Sequence, residues 1–249
     1  TTFQLGTLYL IPNTLGVYGT DGAQDTLRAV LAPQVVETTA RLQHFVVETA
    51  KVARQFLKAV GTQTPLQELQ LTELNVKTPD AAVKDMLAPL LAGHDVGLLS
   101  DAGCPAVADP GARLVEAAHA ADVRVVPLVG PSSLLLALMG SGLNGQKFAF
   151  HGYLPIDAAA RLKEVKRLES ESKAHAQTQL FIETPYRNMP LLDTLLKTLN
   201  ANTQLCVAAD LTLPSETIRM HRVGEWQKRL KQGQGLELNK RPSIFLFLA

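Results

Sequence analysis

The residues with the most chemical promise lie in one stretch, DVGLLSDAGCPAVADPG, residues 95–111. The apolar run at 96–99 has the character of a buried strand. It passes straight into a loop holding Asp101, Gly103, Pro105, Asp109, Pro110 and Gly111. In parallel sheets ligands bind beyond the carboxyl ends of the strands, so this loop is correctly placed for a site. A carboxylate just past the strand, Asp101, suits an amine or a ribose hydroxyl through charge-assisted hydrogen bonds. Gly103 lets a ligand come close to the backbone. Asp109, Pro110 and Gly111 read as the start of the next helix, with Asp capping it and Pro in its first turn.

A second candidate is Gly130-Pro131-Ser132-Ser133, ahead of the apolar run 134–139. Ser132 either caps a helix there or, with nearby N–H groups, receives a carboxylate. The loop LIPNTLG at 10–16 has neither the glycine fingerprint of a dinucleotide fold nor a phosphate-cradling Gly-Lys-Ser/Thr. Nicotinamide enzymes and P-loop NTPases are thereby poor fits. The six histidines stand singly, with no pair at ligand spacing, and no metal site is expected. A Gly-x-Ser-x-Gly elbow is missing, which leaves a serine hydrolase unsupported. Between Arg219 and Arg241 seven Lys/Arg face only Glu225 and Glu237, a net of +5, and the sole tryptophan, Trp226, falls among them. Such a strip either attracts a phosphate backbone or forms a solvated helix face.

The elements that must position these residues alternate between strand and helix patterns. Strands are expected at 8–11, around Val35 and Val36, and at 69–74, 96–99 and 123–126. Helix faces recur through Val52, Ala53, Phe56, Leu57 and Val60. Another runs through Val83, Met86, Leu87, Leu90 and Leu91, with Gly93 closing it, and a third through Leu114, Val115, Ala118 and Ala121. The second half adds strands at 148–154, 180–182, 205–209 and 244–248. It also has helices at 158–173 and along the stripe Leu191, Leu192, Leu195, Leu196 and Leu199. This rhythm predicts α/β layers around a largely parallel sheet. Gly130 and Pro131 punctuate the chain, and a boundary there gives domains 1–129 and 130–249.

Length and composition agree with a folded globular protein. The 249 residues carry a formal charge of +1, with 46% hydrophobic and 19% charged residues. That is enough chain for two modest cores. The longest apolar runs, 134–139 and 244–249, fall far short of the roughly 20 residues a membrane span needs. The sequence opens on Thr1 and Thr2 without the basic-then-apolar order of a signal peptide. Cys104 and Cys206 cannot build a disulfide framework, so reduced thiols and a cytoplasmic setting are expected.

Six segments, taken in order, resemble the tetrapyrrole methylase superfamily of S-adenosylmethionine-dependent methyltransferases. They are GTLYLIPNTLG (6–16), LLSDAGCPAVADPG (98–111), VVPLVGPSSLLLAL (125–138), HGYLP (151–155), LFIETPYR (180–187) and AADLTLPSETI (208–218). Within that superfamily the chain is similar to bacterial enzymes that methylate a ribose 2′-hydroxyl of small-subunit ribosomal RNA. The resemblance implies two α/β domains with S-adenosylmethionine folded into the cleft between them, in a homodimer, and S-adenosylhomocysteine as product. It puts Asp101 against the cofactor, with backbone contacts from Gly103 and Cys104 and a first-loop contact at Pro12. Ser132 and Ser133 fall near the methionine end, Ile182 and Leu211 line the adenosine pocket, and Pro242 marks the last such loop. Two features depart from the family. Ile11, Pro12, Asn13 and Thr14 replace the usual Thr-Pro-Ile-Gly-Asn-like first loop, and the chain ends soon after its last strand, as a shorter branch would.

Methyl transfer to a ribose oxygen needs the acceptor held in line and its proton removed. Glu183 is the candidate base or orienting group, and Arg187 a candidate phosphate ligand; equally, the two form a structural pair at a strand end. His151 is expected to be a hydrogen-bonded structural residue. An RNA acceptor met by the basic segment is the leading expectation. A tetrapyrrole-like small molecule, a protein side chain, and a non-catalytic binding protein are the alternatives.

Overall fold

A computed structural model describes residues 4–16 and 23–249 of the chain. Thr1 and Thr2, on which the signal-peptide reading rested, lie outside the described residues. The chain divides into two compact units, Thr1–Ser132 and Ser133–Ala249. The division falls within the stretch 129–133 that Gly130 and Pro131 punctuate, three residues past the expected boundary.

The first unit runs β1 (Thr7–Ile11), α1 (Ala23–Val30), α2 (Pro33–Arg41), β2 (His44–Val47), α3 (Ala50–Val60) and β3 (Gln70–Glu73). It continues with α4 (Asp80–Asp85), α5 (Ala88–Leu91), β4 (Val96–Leu99), α6 (Ala112–Ala120) and β5 (Arg124–Pro127). Its five strands lie in the order β3-β2-β4-β1-β5, every pairing parallel. Alternation along β4 explains the layers. Val96 and Leu98 pack with Leu114 and Ala118 of α6, while Leu99 packs on the other face with Leu27, Phe56 and Leu57 of α1 and α3. The outgoing connections of β2 and β4 thus leave on opposite faces, and the crevice at such a switch point is where open α/β sheets bind ligands.

Two expectations fail here. Val35 and Val36 are helical, because Pro33 sits in the first turn of α2 and presets the helical φ. The second strand is His44–Val47 instead. The stripe from Val83 to Leu91 is split into α4 and α5, with Pro89 in the first turn of the second piece and Leu91 exposed.

The second unit runs α7 (Ser133–Ser141), β6 (Phe148–Tyr153), α8 (Ala158–His175), β7 (Thr178–Ile182), α9 (Asn188–Thr198), β8 (Gln204–Ala209), β9 (Thr217–Arg222), α10 (Val223–Lys231) and β10 (Ser243–Leu248). Its sheet, β6-β7-β10-β8-β9, is parallel only between β6 and β7. The expectation of a largely parallel sheet therefore holds for the first unit and not for the second. A second unforeseen strand is β9, TIRMHR, a sheet-edge strand whose charged residues hide its apolar alternation. Antiparallel β10 starts where β7 and β8 end, since Ile244 pairs with Ile182 and Ser243 with Ala209. The core beneath is rich in rings: Phe181 stacks on Phe245 at 6.0 Å and meets Phe247 edge-on at 5.8 Å. No helix of the described residues is long and apolar enough to cross a membrane.

Candidate functional site

Parallel pairing aligns Ile11, Val47 and Leu99 across β1, β2 and β4. The loops leaving these strands must therefore meet: Pro12 to Thr14, Glu48 and Thr49, and Ser100 to Gly103. Asn13, 4% exposed, is the clasp. Its Nδ2 donates to the carbonyls of Ser100 (3.1 Å) and Asp101 (3.2 Å), and its Oδ1 accepts from the Thr14 amide (2.7 Å). Its backbone N–H donates to the Gly103 carbonyl at 2.9 Å, and the Gly103 N–H donates to the Thr14 carbonyl at 3.3 Å.

Asp101 is held from behind. Thr49 Oγ1 donates to its Oδ2 at 2.7 Å, and its own N–H donates to Glu48 Oε2 at 2.9 Å. Asp101 Oδ1 has no protein partner among the described residues. The carboxylate borders a cavity of about 210 Å³ whose walls include Asn13, Thr14, Leu27, Gln55 and Phe56. A larger hollow of about 670 Å³ lies on the other face, among His44, Gln70, Thr72, Asp85 and Met86. It begins at the amino ends of the strands, away from the switch point.

Three acids crowd this strand end. Burial pushes the Glu48 carboxyl up, with smaller contributions from Asp101 and Asp109, against the Asp101 amide that holds it down. Burial likewise raises Asp109, opposed by the amides of Gly111 and Ala106 and by the Ser100 hydroxyl. Asp109 does not cap α6 as expected. Its Oδ1 accepts from Ala106 N (2.9 Å) and Gly111 N (2.7 Å), so it locks the turn before the helix.

The other first-unit candidates pack the same loops. Gly103 has φ +65° and both its backbone polar groups bond to the first loop, which fixes this turn against Asn13 and Thr14. The Cys104 thiol, pushed up by burial, points to the Pro131 carbonyl at 3.3 Å. Pro12 fills the space over Gly130, where a Cβ would lie 2.1 Å from Pro12 Cβ. Ser132 ends the first unit and Ser133 begins α7.

In the second unit Ile182, Leu211 and Pro242 come to one end of the three central strands, where the Asp210 amide donates to the Pro242 carbonyl at 3.0 Å. Glu183 lies beside them with a side chain only 2% exposed. Its Oε1 accepts from Thr184 N (2.7 Å), Thr184 Oγ1 (3.2 Å) and Arg187 Nε (3.1 Å). Oε1, with three donors in a side chain nearly closed to solvent, anchors the turn, while Oε2 has no partner among the described residues. Arg187 keeps its other nitrogens outward, beside the Tyr186 ring at 5.3 Å. His151 hydrogen-bonds Gln179, as expected of a structural histidine.

The arginines of the basic segment serve their own unit. Arg219 lies over Trp226 (5.8 Å) and donates to Gln234 O (3.0 Å). Arg222 donates to Asn202 O (2.8 Å), and Arg229 pairs with Glu225 (2.8 Å). Arg241 ties Asp210, Ser215, Thr217 and Glu237 together. Lys228, Lys231 and Lys240 remain exposed.

Reading the sequence missed Glu48, Thr49, Gln55 and Phe56 as site residues. The strand-end rule that picked out Asp101 would have found Glu48 and Thr49, had the second strand been placed at 44–47.

The family model described as tetrapyrrole (corrin/porphyrin) methylases matches residues 21–227. Ribosomal RNA small subunit methyltransferase I of Xylella fastidiosa is 31% identical over 213 residues, covering 86% of this chain and 71% of that protein. Its counterpart from Escherichia coli O157:H7 is 30% identical over 234 residues, covering 92% and 73%. The crystal structure of the methyltransferase CobJ superposes with a TM-score of 0.60 at 17% identity, covering 97% of this chain and 93% of that one, a likeness of fold. The parallel sheet with its switch-point loops and the match over residues 21–227 lead to one conclusion: the chain belongs to the tetrapyrrole (corrin/porphyrin) methylase family of methyltransferases.

Proposed function

We propose that the chain transfers a methyl group from S-adenosylmethionine to a ribose 2′-hydroxyl of ribosomal RNA, releasing S-adenosylhomocysteine. The observation that carries this reading is the Asp101 carboxylate, braced by Thr49 and Glu48 with one oxygen left open beside a cavity. The names of the relatives, ribosomal RNA small subunit methyltransferase I, support the acceptor.

The residues suit the cofactor. An open carboxylate oxygen is an acceptor for a ribose diol or an ammonium group. In this reading Ser132 and Ser133 are the candidates for the methionine end, and Ile182, Leu211 and Pro242 those for the adenosine, as the family resemblance implies. S-adenosylmethionine carries its methyl on a sulfonium, already activated for transfer. The protein's work is then orientation: Asn13 and Thr49 fix Asp101, and Glu183 fixes the turn that presents Arg187. A cytoplasmic homodimer is the working form in this reading; the exposed Leu135 (52%) and Met139 (78%) on α7 support self-association, which light scattering tests.

Calorimetric titration with S-adenosylmethionine and S-adenosylhomocysteine is the test. One-to-one binding, weakened about 10- to 100-fold in Asp101→Ala, is expected for the loss of a charge-assisted bond. Folded protein that binds neither compound would sink the proposal.

A further inference from the structure

Helix α3 joins two surfaces that the basic segment near the C-terminus does not offer. Successive residues on a helix are about 100° apart. On that wheel Ala53, Phe56 and Leu57 face the core. The next sector, Val52, Gln55 and Ala59, lines the cavity beside Asp101 together with Phe56. The sector beyond Gln55 is Lys51, Arg54 and Lys58, all exposed. None of these three cations makes an ion pair or side-chain hydrogen bond with a described residue. The first turn of the helix is not itself a free anion site, because Glu73 Oε1 already accepts from the Ala50 amide at 2.9 Å.

We propose that α3 is the surface on which single-stranded RNA lies, its phosphates on Lys51, Arg54 and Lys58 and one unstacked base in the cavity behind Gln55. This deepens the acceptor assignment made above and rests on it. The chemistry is that of single-strand recognition: a cationic track for the backbone, beside a pocket with an aromatic wall and polar groups for a base edge. Phe56 and Leu27 give the apolar wall. Gln55, whose amide is uncommitted, offers one donor and one acceptor face. The arginines between Arg219 and Arg241 are spent on their own unit, whereas Lys51, Arg54 and Lys58 have no such partners.

The test is fluorescence anisotropy of a labelled single-stranded RNA decamer with the full chain and saturating S-adenosylhomocysteine, over about 50–200 mM salt. Three phosphate contacts give a slope of log K against log salt near −2, from about −0.7 per phosphate on a single strand. The Lys51→Gln, Arg54→Gln, Lys58→Gln variant should bring that slope close to zero while its affinity for S-adenosylhomocysteine stays at the wild-type value. Ala59→Leu, which narrows the cavity, should weaken RNA binding severalfold at unchanged slope. Lys228→Gln, Lys231→Gln, Lys240→Gln should change neither. The proposal is overturned if the α3 variant binds RNA with the wild-type slope, if the slope moves with the second lysine set instead, or if a polyglutamate peptide binds and the RNA does not. Failure of the wild type to bind S-adenosylhomocysteine would instead bring down the cofactor reading.

Discussion

Thr49 donates its hydroxyl hydrogen to Asp101 Oδ2 across 2.7 Å, although the two residues are 52 positions apart. Thr49 precedes α3 in an extended conformation, and its side chain does not cap that helix. The hydroxyl is free to serve Asp101 alone.

Removing that hydroxyl should therefore loosen ligand binding more than the fold. Thr49→Val is expected to weaken S-adenosylmethionine binding about fivefold, the worth of one hydrogen bond of about 1 kcal/mol. Thr49→Ser should restore it. Calorimetry on both variants, with Tm as the control for a structural role, checks this.

Glu48 predicts a pH effect. Its folded-state pKa is raised above the ordinary 4.5, so its contribution to stability is fully present below that value and is lost as pH rises through the folded value. Glu48→Gln keeps an oxygen for the Asp101 amide and removes the charge. It should melt at a higher temperature than wild type at about pH 7 and coincide with it near pH 4. Equal melting curves at both pH values would refute the account.

Glu183 separates anchor from base. As an anchor, Glu183→Gln leaves kcat within about threefold and the pH–rate profile unchanged, whereas a lost general base costs roughly 10²–10⁴-fold. Glu183→Ala, which strips three hydrogen bonds from one oxygen, should lower stability by about 1–3 kcal/mol. Methyl-transfer kinetics and thermal melts read the two effects separately.

Gly130→Ala tests the loop packing. Its new Cβ would lie 2.1 Å from Pro12 Cβ and 2.2 Å from Cγ, so the first loop must move. Overpacking of this kind costs about 1–3 kcal/mol, and each kcal/mol lowers Tm by about 2–4 °C in a chain of this size.

The thiols should differ in reactivity. Burial pushes Cys206 up to about 12, so it should resist a thiolate-specific reagent until the protein unfolds. Cys104, half-buried and raised to a lesser degree, should react slowly in the native state. Mass spectrometry of briefly alkylated protein distinguishes the two.

Local pattern was enough for most helices and strands, because residues such as Val52, Phe56 and Leu57 repeat at the helical period and pack where that period puts them. It failed at Val35 and Val36, where two β-branched residues outweighed the Pro33 start signal. It failed again at β9, whose arginines and histidine mask a strand that packs on one side only.

By itself the sequence determined the family, the α/β class and the strand-end loop carrying Asp101, since these depend on motif order and on residues adjacent in the chain. Only the tertiary structure decided that Asn13, Glu48 and Thr49 surround Asp101, that one oxygen of Glu183 takes three donors, and that three uncommitted cations of α3 flank the cavity beside Asp101. The reason is register. Parallel pairing sets Ile11, Val47 and Leu99 side by side, and the loops leaving the three strands become one site through contacts between distant positions. No local periodicity records those contacts.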